Sequence, residues 1–128
     1  MLNLNHLKFA KTHEWISPDG KVGISEHAQK EITDVVFVEF PSIGKSLAKE
    51  EEAGSIESVK AAFPIYAPCS GKVITVNENV AKDPSLVNQS PYENGWFFQL
   101  EIKDANELQN LMTYDQYQEF LKTEVPSH

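Results

Sequence analysis

Residues 53–71, AGSIESVKAAFPIYAPCSG, hold two short β-compatible runs with a lysine between them. The run at 53–58 (AGSIES) is built of small and β-branched residues. The run at 62–67 (AFPIYA) is stopped by Pro68-Cys69-Ser70-Gly71. About three residues join the runs, the length of a tight hairpin connection. Lys60 therefore stands where the chain turns, held off the core on a two-stranded stalk with its amine free for covalent modification. An isolated turn lysine is ordinarily a solvated charge, so its surroundings must decide its role.

On the N-terminal side, the segment 11–17 runs into the turn signal Pro18-Asp19-Gly20, and 21–25 follows as a strand with Val22 and Ile24 alternating with polar or small residues. A short helix comes next: Ser25 suits its N-cap, Glu26 its first turn, and Ala28 and Ile32 share a face. The strand 35–40 (VVFVEF) is apolar on both faces, which predicts burial on both sides, and Pro41-Ser42-Ile43-Gly44 turns the chain. On the C-terminal side, 72–77 (KVITVN) is a strand and the polar stretch from about 78 to 94 reads as a loop. In 96–103, Trp96, Phe98, Leu100 and Ile102 point one way and Gln99, Glu101 and Lys103 the other, a strand with one face in the core. Asp104 suits the cap of a helical segment carrying Leu108, Leu111 and Met112. Thr113 and Gln116 form a capping-box pattern ahead of Tyr117, Phe120 and Leu121, and residues 123–128 should fray. The stretches DVVFVEFPSIGKSL and GKVITVNENVAKDPSL form a weak internal repeat around the hairpin. Two similar β halves predict a mainly β flattened sandwich or barrel of approximate two-fold symmetry, with the lysine at one end.

The chain has 128 residues, the size of a single domain with a proper core. Its net charge is −8, and all eleven basic side chains are lysines. That argues against a nucleic-acid surface, which needs a basic patch and usually arginine, and against an anionic membrane surface. One cysteine excludes an intramolecular disulfide framework. The opening MLNLNHLKF has neither the charge pattern of a secretory signal nor the arginines of a transit peptide, and no apolar run reaches membrane-spanning length. These features predict a soluble, cytoplasmic chain with no nucleic-acid or membrane partner.

The chemical side chains do not assemble a catalytic centre. His13 and Glu14 are ordinary acid–base groups, but as neighbours on a strand they point to opposite faces, which leaves Trp15 in the core and Glu14 exposed. His27 reads as a surface histidine. No HExxH, HxH or CxxC spacing offers a metal site. Cys69 has no local base and reads as a small residue closing a hairpin, and Glu50-Glu51-Glu52 as a solvated charge run. An enzyme is not expected. What remains is Lys60, in the setting of a carrier for a lysine-linked cofactor.

The ordered set Thr12-His13-Glu14-Trp15, Val22-Gly23-Ile24, Asp34-Val35-Val36-Phe37-Val38-Glu39, Gly54-Ser55-Ile56-Glu57-Ser58-Val59-Lys60-Ala61, Ala67-Pro68-Cys69-Ser70-Gly71-Lys72-Val73 and Ser90-Pro91-Tyr92-Glu93-Asn94-Gly95-Trp96 resembles the H proteins of the glycine cleavage system, in register from about Lys8 to Leu121. The resemblance implies one lipoyl-carrier domain over residues 1–128. It also implies a barrel-sandwich hybrid fold with a short helix after the first hairpin and C-terminal helices. Lipoate would be joined by an amide to Lys60, with Glu57, Ser58, Val59 and Ala61 as the modification motif. The implied partners are a pyridoxal-phosphate glycine decarboxylase, a tetrahydrofolate-dependent aminomethyltransferase and a flavin (FAD) dihydrolipoyl dehydrogenase. A lipoate ligase or octanoyltransferase, with a lipoyl synthase, would install the cofactor on a monomer that makes transient contacts. Members of the family also shelter the loaded arm in a surface cleft. Glu14, with Thr12 on the same strand face, is the matched acidic position expected near the loaded amine.

Two positions depart from the family pattern. Phe63-Pro64 stands where small or acidic residues are more usual, and Pro64 cannot donate to a ladder, which makes this arm of the hairpin an edge. Cys69 replaces a more usual aliphatic residue. The resemblance also admits a relay role, handing octanoyl or lipoyl groups to 2-oxoacid dehydrogenases. A biotin carrier is disfavoured because Val59-Lys60-Ala61 lacks flanking methionines.

Overall fold

The computed structural model describes residues 4–123. Its strands are β1 (Lys8–Phe9), β2 (Glu14–Ile16), β3 (Lys21–Ile24), β4 (Val35–Glu39), β5 (Ser46–Leu47), β6 (Glu52–Ser58), β7 (Ala62–Tyr66), β8 (Gly71–Val76) and β9 (Phe98–Ile102). The helices are α1 (Glu26–Ile32), α2 (Glu78–Lys82), α3 (Leu86–Gln89) and α4 (Tyr114–Thr123), with 3₁₀ turns at Leu4–His6 and Ala105–Asn110. The strands form two antiparallel sheets, ordered β1-β2-β3-β9-β8-β5 and β4-β6-β7. The mainly β sandwich expected from the sequence is what forms, and the sheets are not closed into a barrel. The frayed end expected at 124–128 lies outside the described residues.

The main core lies between the sheets. Ile16, Val22, Ile24, Val73, Phe98 and Leu100 from the larger sheet meet Val35, Val38, Ile56 and Ile65 from the smaller. A second cluster covers the other side of β1 and β2, where Leu7, Phe9 and Trp15 pack on Tyr117 of α4. Phe9 and Tyr117 stack with ring centroids 4.6 Å apart. The strand β2 is thus covered on both faces, and Glu14, Trp15 and Ile16 are all buried. Gly23 pairs with Trp15, and a Cβ there would lie 2.6 Å from the indole. Only glycine lets the ring lie flat across β3 while its Nε1 donates to the carbonyls of Ile24 and Pro91, each at 3.0 Å.

Local signals in the sequence hold where expected. The Ser25 hydroxyl accepts from the Ala28 amide at 3.1 Å and caps α1. Thr113 and Gln116 exchange the two bonds of a capping box, at 2.9 and 3.2 Å. Asp104 caps its segment, which winds as a 3₁₀ turn.

Three expectations are corrected. The strand β4 is not buried on both sides: Val35 and Val38 are buried while Val36 and Phe37 are exposed. A bulge is the cause, because Val35 pairs with Ser58 and Phe37 with Glu57, leaving Val36 as an extra residue that sends Phe37 outward. The stretch from 78 to 94 is not all loop, since Asn77 caps α2 and α3 follows it. Trp96 does not share the core face of β9; it packs with the second cluster under the Lys21 ammonium, and Phe97 takes a fully buried place in the main core.

Candidate functional site

The β6–β7 hairpin holds the Lys60 turn by a small set of bonds around one hydroxyl. The Ser58 amide donates to the Ala61 carbonyl at 2.8 Å, closing the turn. The Ser58 Oγ accepts from the amides of Lys60 and Ala61, at 3.1 and 3.2 Å, and donates to the Ala61 carbonyl at 3.2 Å. Serine does here what a short polar side chain does in any tight turn, satisfying amides that the ladder cannot reach. The Val59 amide donates to the Asp34 carbonyl at 3.0 Å and ties the turn to the start of β4. Lys60 itself is exposed. Its Nζ donates to the carbonyl of Glu31 at 3.2 Å, near the C-terminus of α1, where the helix dipole favours a cation. The strand β7 is an edge of the smaller sheet, as Pro64 requires.

Beside the lysine a cleft of about 370 Å³ opens between α1 and β7. Glu31 and Ile32 line it at the Lys60 end, Phe63, Pro64 and Tyr66 form the β7 wall, and Thr12, His13 and Glu14 line it from the first strand region. Phe63 is therefore part of the cleft wall and packs half-buried against the core.

Glu14 is 2% exposed, which corrects the expectation that it faces solvent. Thr12 and Glu14 do not share a strand face. Thr12 lies in the turn before β2, and His13 between them has φ 80°. That left-handed residue breaks the pleat and folds Thr12 back, so the Thr12 hydroxyl donates to one carboxylate oxygen of Glu14. The Tyr66 amide donates to the other at 3.0 Å. Burial dominates these bonds: desolvation raises the Glu14 pKa to about 7, against the lowering effect of Thr12 and Tyr66. Near neutral pH this carboxyl is poised between its two forms, and a cation brought to it restores the ionised one.

Two further groups brace the cleft. The His13 Nδ1 lies 2.7 Å from the Tyr117 hydroxyl, which lies 2.6 Å from the Ser25 Oγ. One hydroxyl thus joins the turn beside Glu14, the cap of α1 and helix α4. His27, half-exposed, pairs with Glu31 at 3.2 Å and lies 5.1 Å, ring to ring, from His13. Tyr66, Glu31, His13 and Tyr117 were not singled out from the sequence as parts of one site, because their contacts join positions far apart in the chain. Cys69 is fully buried, and desolvation, with Glu107 nearby, pushes its thiol up to about 11. It packs as a small core residue and not as a nucleophile. Among the described residues no group of His, Cys, Asp and Glu is arranged to hold a metal ion, and no helix is long and apolar enough to cross a membrane.

A family model described as glycine cleavage H-protein matches residues 7–124. The chain belongs to the glycine cleavage H-protein family. It is 51% identical over 118 residues to a glycine cleavage system H protein of Endomicrobium trichonymphae, covering 90% of this chain and 95% of the relative. With the H protein of Thermotoga maritima it shares 48% identity over 120 residues, 91% of this chain and 97% of the other. The fold is similar to the crystal structure of a glycine cleavage system H protein from Mycobacterium marinum, with a TM-score of 0.84 and 30% identity. That match covers 92% of this chain and 98% of that one. H proteins are carrier subunits rather than catalysts, in keeping with a site built around an exposed lysine.

Proposed function

We propose that this chain carries lipoate on Lys60 and serves as the mobile carrier of glycine cleavage, as a single lipoyl-carrier domain acting in the cytoplasm. The observation that carries the reading is an exposed lysine at the turn of a hairpin, its amine bonded to Glu31 beside a cleft that a buried carboxyl also lines. When attached, lipoate would supply a dithiolane whose disulfide takes up the aminomethyl group together with two electrons, and whose dithiol gives those two electrons up once that group has left. The chain's own residues supply placement. The Ser58-centred turn holds the root of the arm. Acylation removes the charge of Nζ but leaves an amide N–H, which keeps one donor for the Glu31 carbonyl. A tether rooted there keeps its free end within a small volume and raises its effective concentration at a docked partner.

The cleft fits such an arm. Its Ile32, Phe63 and Pro64 wall suits a hydrocarbon chain, and Glu14 offers a carboxylate to a cationic amine. Bringing that cation to Glu14 offsets the desolvation that holds the proton on, so the carboxyl gives up its proton as the amine arrives. Thr12 and Tyr66 hold both oxygens in place while it does so. The partners that follow are the decarboxylase, the aminomethyltransferase, the dihydrolipoyl dehydrogenase and the lipoate-attaching enzymes, met by a monomer in transient contacts.

The test is intact-mass analysis of the chain from lipoate-replete cells. Wild type is expected to carry lipoyl on Lys60 and to support glycine–bicarbonate exchange with the decarboxylase. Lys60→Arg should lose both while melting at the wild-type temperature, since the side chain is exposed and makes one bond, to a carbonyl that arginine can also reach. An unmodified Lys60 in replete cells would sink the reading.

A further inference from the structure

We propose that a second hollow, walled by Phe9, Lys49, Pro68 and Met112, binds a small amphiphilic carboxylate: a free acid with one anionic head and a hydrocarbon body. The hollow adjoins the cleft beside Lys60, and Lys11, Thr12 and Tyr66 line both. The site stands whether or not Lys60 carries a cofactor.

The hollow measures about 490 Å³, larger than the cleft and within the range of small-molecule sites. Its floor is apolar. Phe9, Ala67 and Pro68 are buried in it, and Leu111 and Met112 are half-buried along one side. Its walls are fixed by main-chain bonds. Phe9 and Met112 exchange a pair of them, at 2.8 and 2.9 Å. The Glu50 amide donates to the Ala67 carbonyl at 2.8 Å and the Ala67 amide to the Glu51 carbonyl at 2.9 Å, which ties the loop carrying Lys49 to the end of β7. The turn carrying Lys11 is closed by the His13 amide on the Ala10 carbonyl at 2.9 Å. A hollow formed in advance spares a ligand the cost of ordering its walls.

The charge of the rim names the head group. Lys11 and Lys49 both line the hollow, and neither ammonium has a carboxylate within ion-pair distance among the described residues. The whole chain carries a net charge of −8, so two unpaired lysines over one apolar floor reverse the sign of the surface locally. Lys49 is half-buried, and its charge works against the upward shift of the Cys69 thiol, which puts the ammonium on the inner side, near Pro68. Lys11 is exposed and serves the outer rim. Glu50, also exposed, is the acidic residue of the lining and opposes them. Two ammonium groups against one carboxylate favour a singly charged anion over a polyanion.

The two adjoining hollows therefore select opposite ligands. The cleft presents the buried carboxyl of Glu14 and suits a cation. The second hollow presents ammonium groups above hydrocarbon and suits an anion with an apolar body. A bare anion gains nothing from the floor, and an apolar cation meets the wrong charge at the rim.

The experiment titrates octanoate into the purified, unmodified full chain and follows backbone amide resonances. Those of Lys49, Glu50, Ala67 and Met112 should shift saturably, with a Kd of about 1 mM or tighter. Thr12 and Tyr66, in the shared wall, should report the occupant, while Ile32 and Phe63 in the cleft should not. Acetate and octylammonium should each bind there at least about tenfold more weakly. Lys49→Gln should weaken octanoate about fivefold or more and Lys11→Gln about twofold to fivefold, the inner lysine counting for more because it is less screened. Glu50→Gln should tighten binding about twofold by removing the opposing charge, a gain that misfolding cannot imitate. Lys72→Gln, an exposed control on β8, should bind as wild type does, and so should Lys60→Arg, which separates this site from the reading of Lys60. Melting curves confirm that the variants are folded. Absence of saturable shifts up to about 20 mM octanoate would overturn the proposal. So would shifts centred on Ile32 and Phe63, equal binding of acetate or octylammonium, or wild-type affinity in Lys49→Gln, Lys11→Gln and Glu50→Gln alike.

Discussion

Lys60, tied to the cleft wall at Glu31, and Glu14, which lines the same cleft, are built on contrary plans. Lys60 is exposed, and its side chain makes one hydrogen bond, to a main-chain oxygen of α1. Its environment holds the backbone and leaves the amine alone. Glu14 is buried, bonded through both oxygens, and covered by residues that reach it from β7 and from the preceding turn. Its environment holds the side chain and shifts its proton affinity. A group that must be modified and then swing needs a fixed root and a free tip. A group that must recognise a charge needs the reverse, a fixed tip in a poor solvent. The contrast explains why one end is robust to chemical change and the other is coupled to the stability of the fold.

The largest effect should come from pH acting on Glu14. Its folded pKa, about 7, lies above the ordinary carboxyl value of 4.5. The folded state therefore holds the proton more tightly than the unfolded chain across that interval. By linkage, stability is highest below about pH 4.5 and falls as pH rises toward 7, because the unfolded chain ionises first. The shift corresponds to a loss on the order of 3 kcal/mol, complete above about pH 7. Glu14→Gln keeps the shape and an acceptor for the Tyr66 amide but cannot ionise. In urea titrations at several pH values, the difference between wild type and Glu14→Gln should grow through this window in favour of glutamine. Parallel curves at all pH values would show that the carboxyl is ordinarily solvated and that its burial has no such consequence.

The second effect lies between the two ends, at Tyr117. Its hydroxyl joins His13 and Ser25, so it braces the left-handed turn that aims Thr12 at Glu14 and the cap that starts the helix leading to Glu31. Tyr117→Phe leaves the stacking with Phe9 in place and removes those bonds. We expect a loss of about 1–3 kcal/mol, the range for buried polar partners left unsatisfied. The discriminating readout is local: amide resonances of Thr12, His13 and Glu14 should move, and those of Val59 and Lys60 should not. Uniform shifts at both ends would mean that the cleft is one rigid body, and the contrast between its ends would lose its content.

Much of the Lys60 end was legible from the sequence, and little of the Glu14 end. The hairpin, the edge forced by Pro64, the Ser25 cap and the Thr113–Gln116 box are local, each decided within about four residues by turn chemistry or capping. Glu14 depends on Tyr66, fifty-two positions away, and on Tyr117 beyond that. An alternating pattern at 12–16 says nothing of a covering helix, and the left-handed His13 gives a far weaker signal than a glycine would have given. The outward turn of Phe37 was hidden for a related reason. A strand apolar on both faces looks the same whether it is buried twice or bulged once. Of the repeat, the apolar strand of each copy forms, β4 in one sheet and β8 in the other, each with a register shift. Its tails part company: β5 follows the first copy, and α2 and α3 follow the second.

The smallest effect should be at Ser58, and its smallness is the sharpest statement about the Lys60 end. Ser58→Ala removes an acceptor for two amides and one donated bond. The turn is exposed, so water replaces each of them, and the main-chain bonds from Ser58 to Ala61 and from Val59 to Asp34 remain. Global stability should fall by no more than about 1 kcal/mol. Hydrogen exchange of the Lys60 and Ala61 amides should nonetheless quicken severalfold, while Ile56 and Ile65 exchange as before, because loss of the hydroxyl frees the tip without loosening the stalk. If the amides of Ile56 and Ile65 quicken equally, the turn and the stalk form one cooperative unit. If Lys60 and Ala61 do not change, the hydroxyl does not hold the turn. The predicted pattern requires a root fixed by main-chain ladders and a tip held by one replaceable side chain, the arrangement that lets a modifying enzyme reshape the turn around Nζ without disturbing the fold behind it.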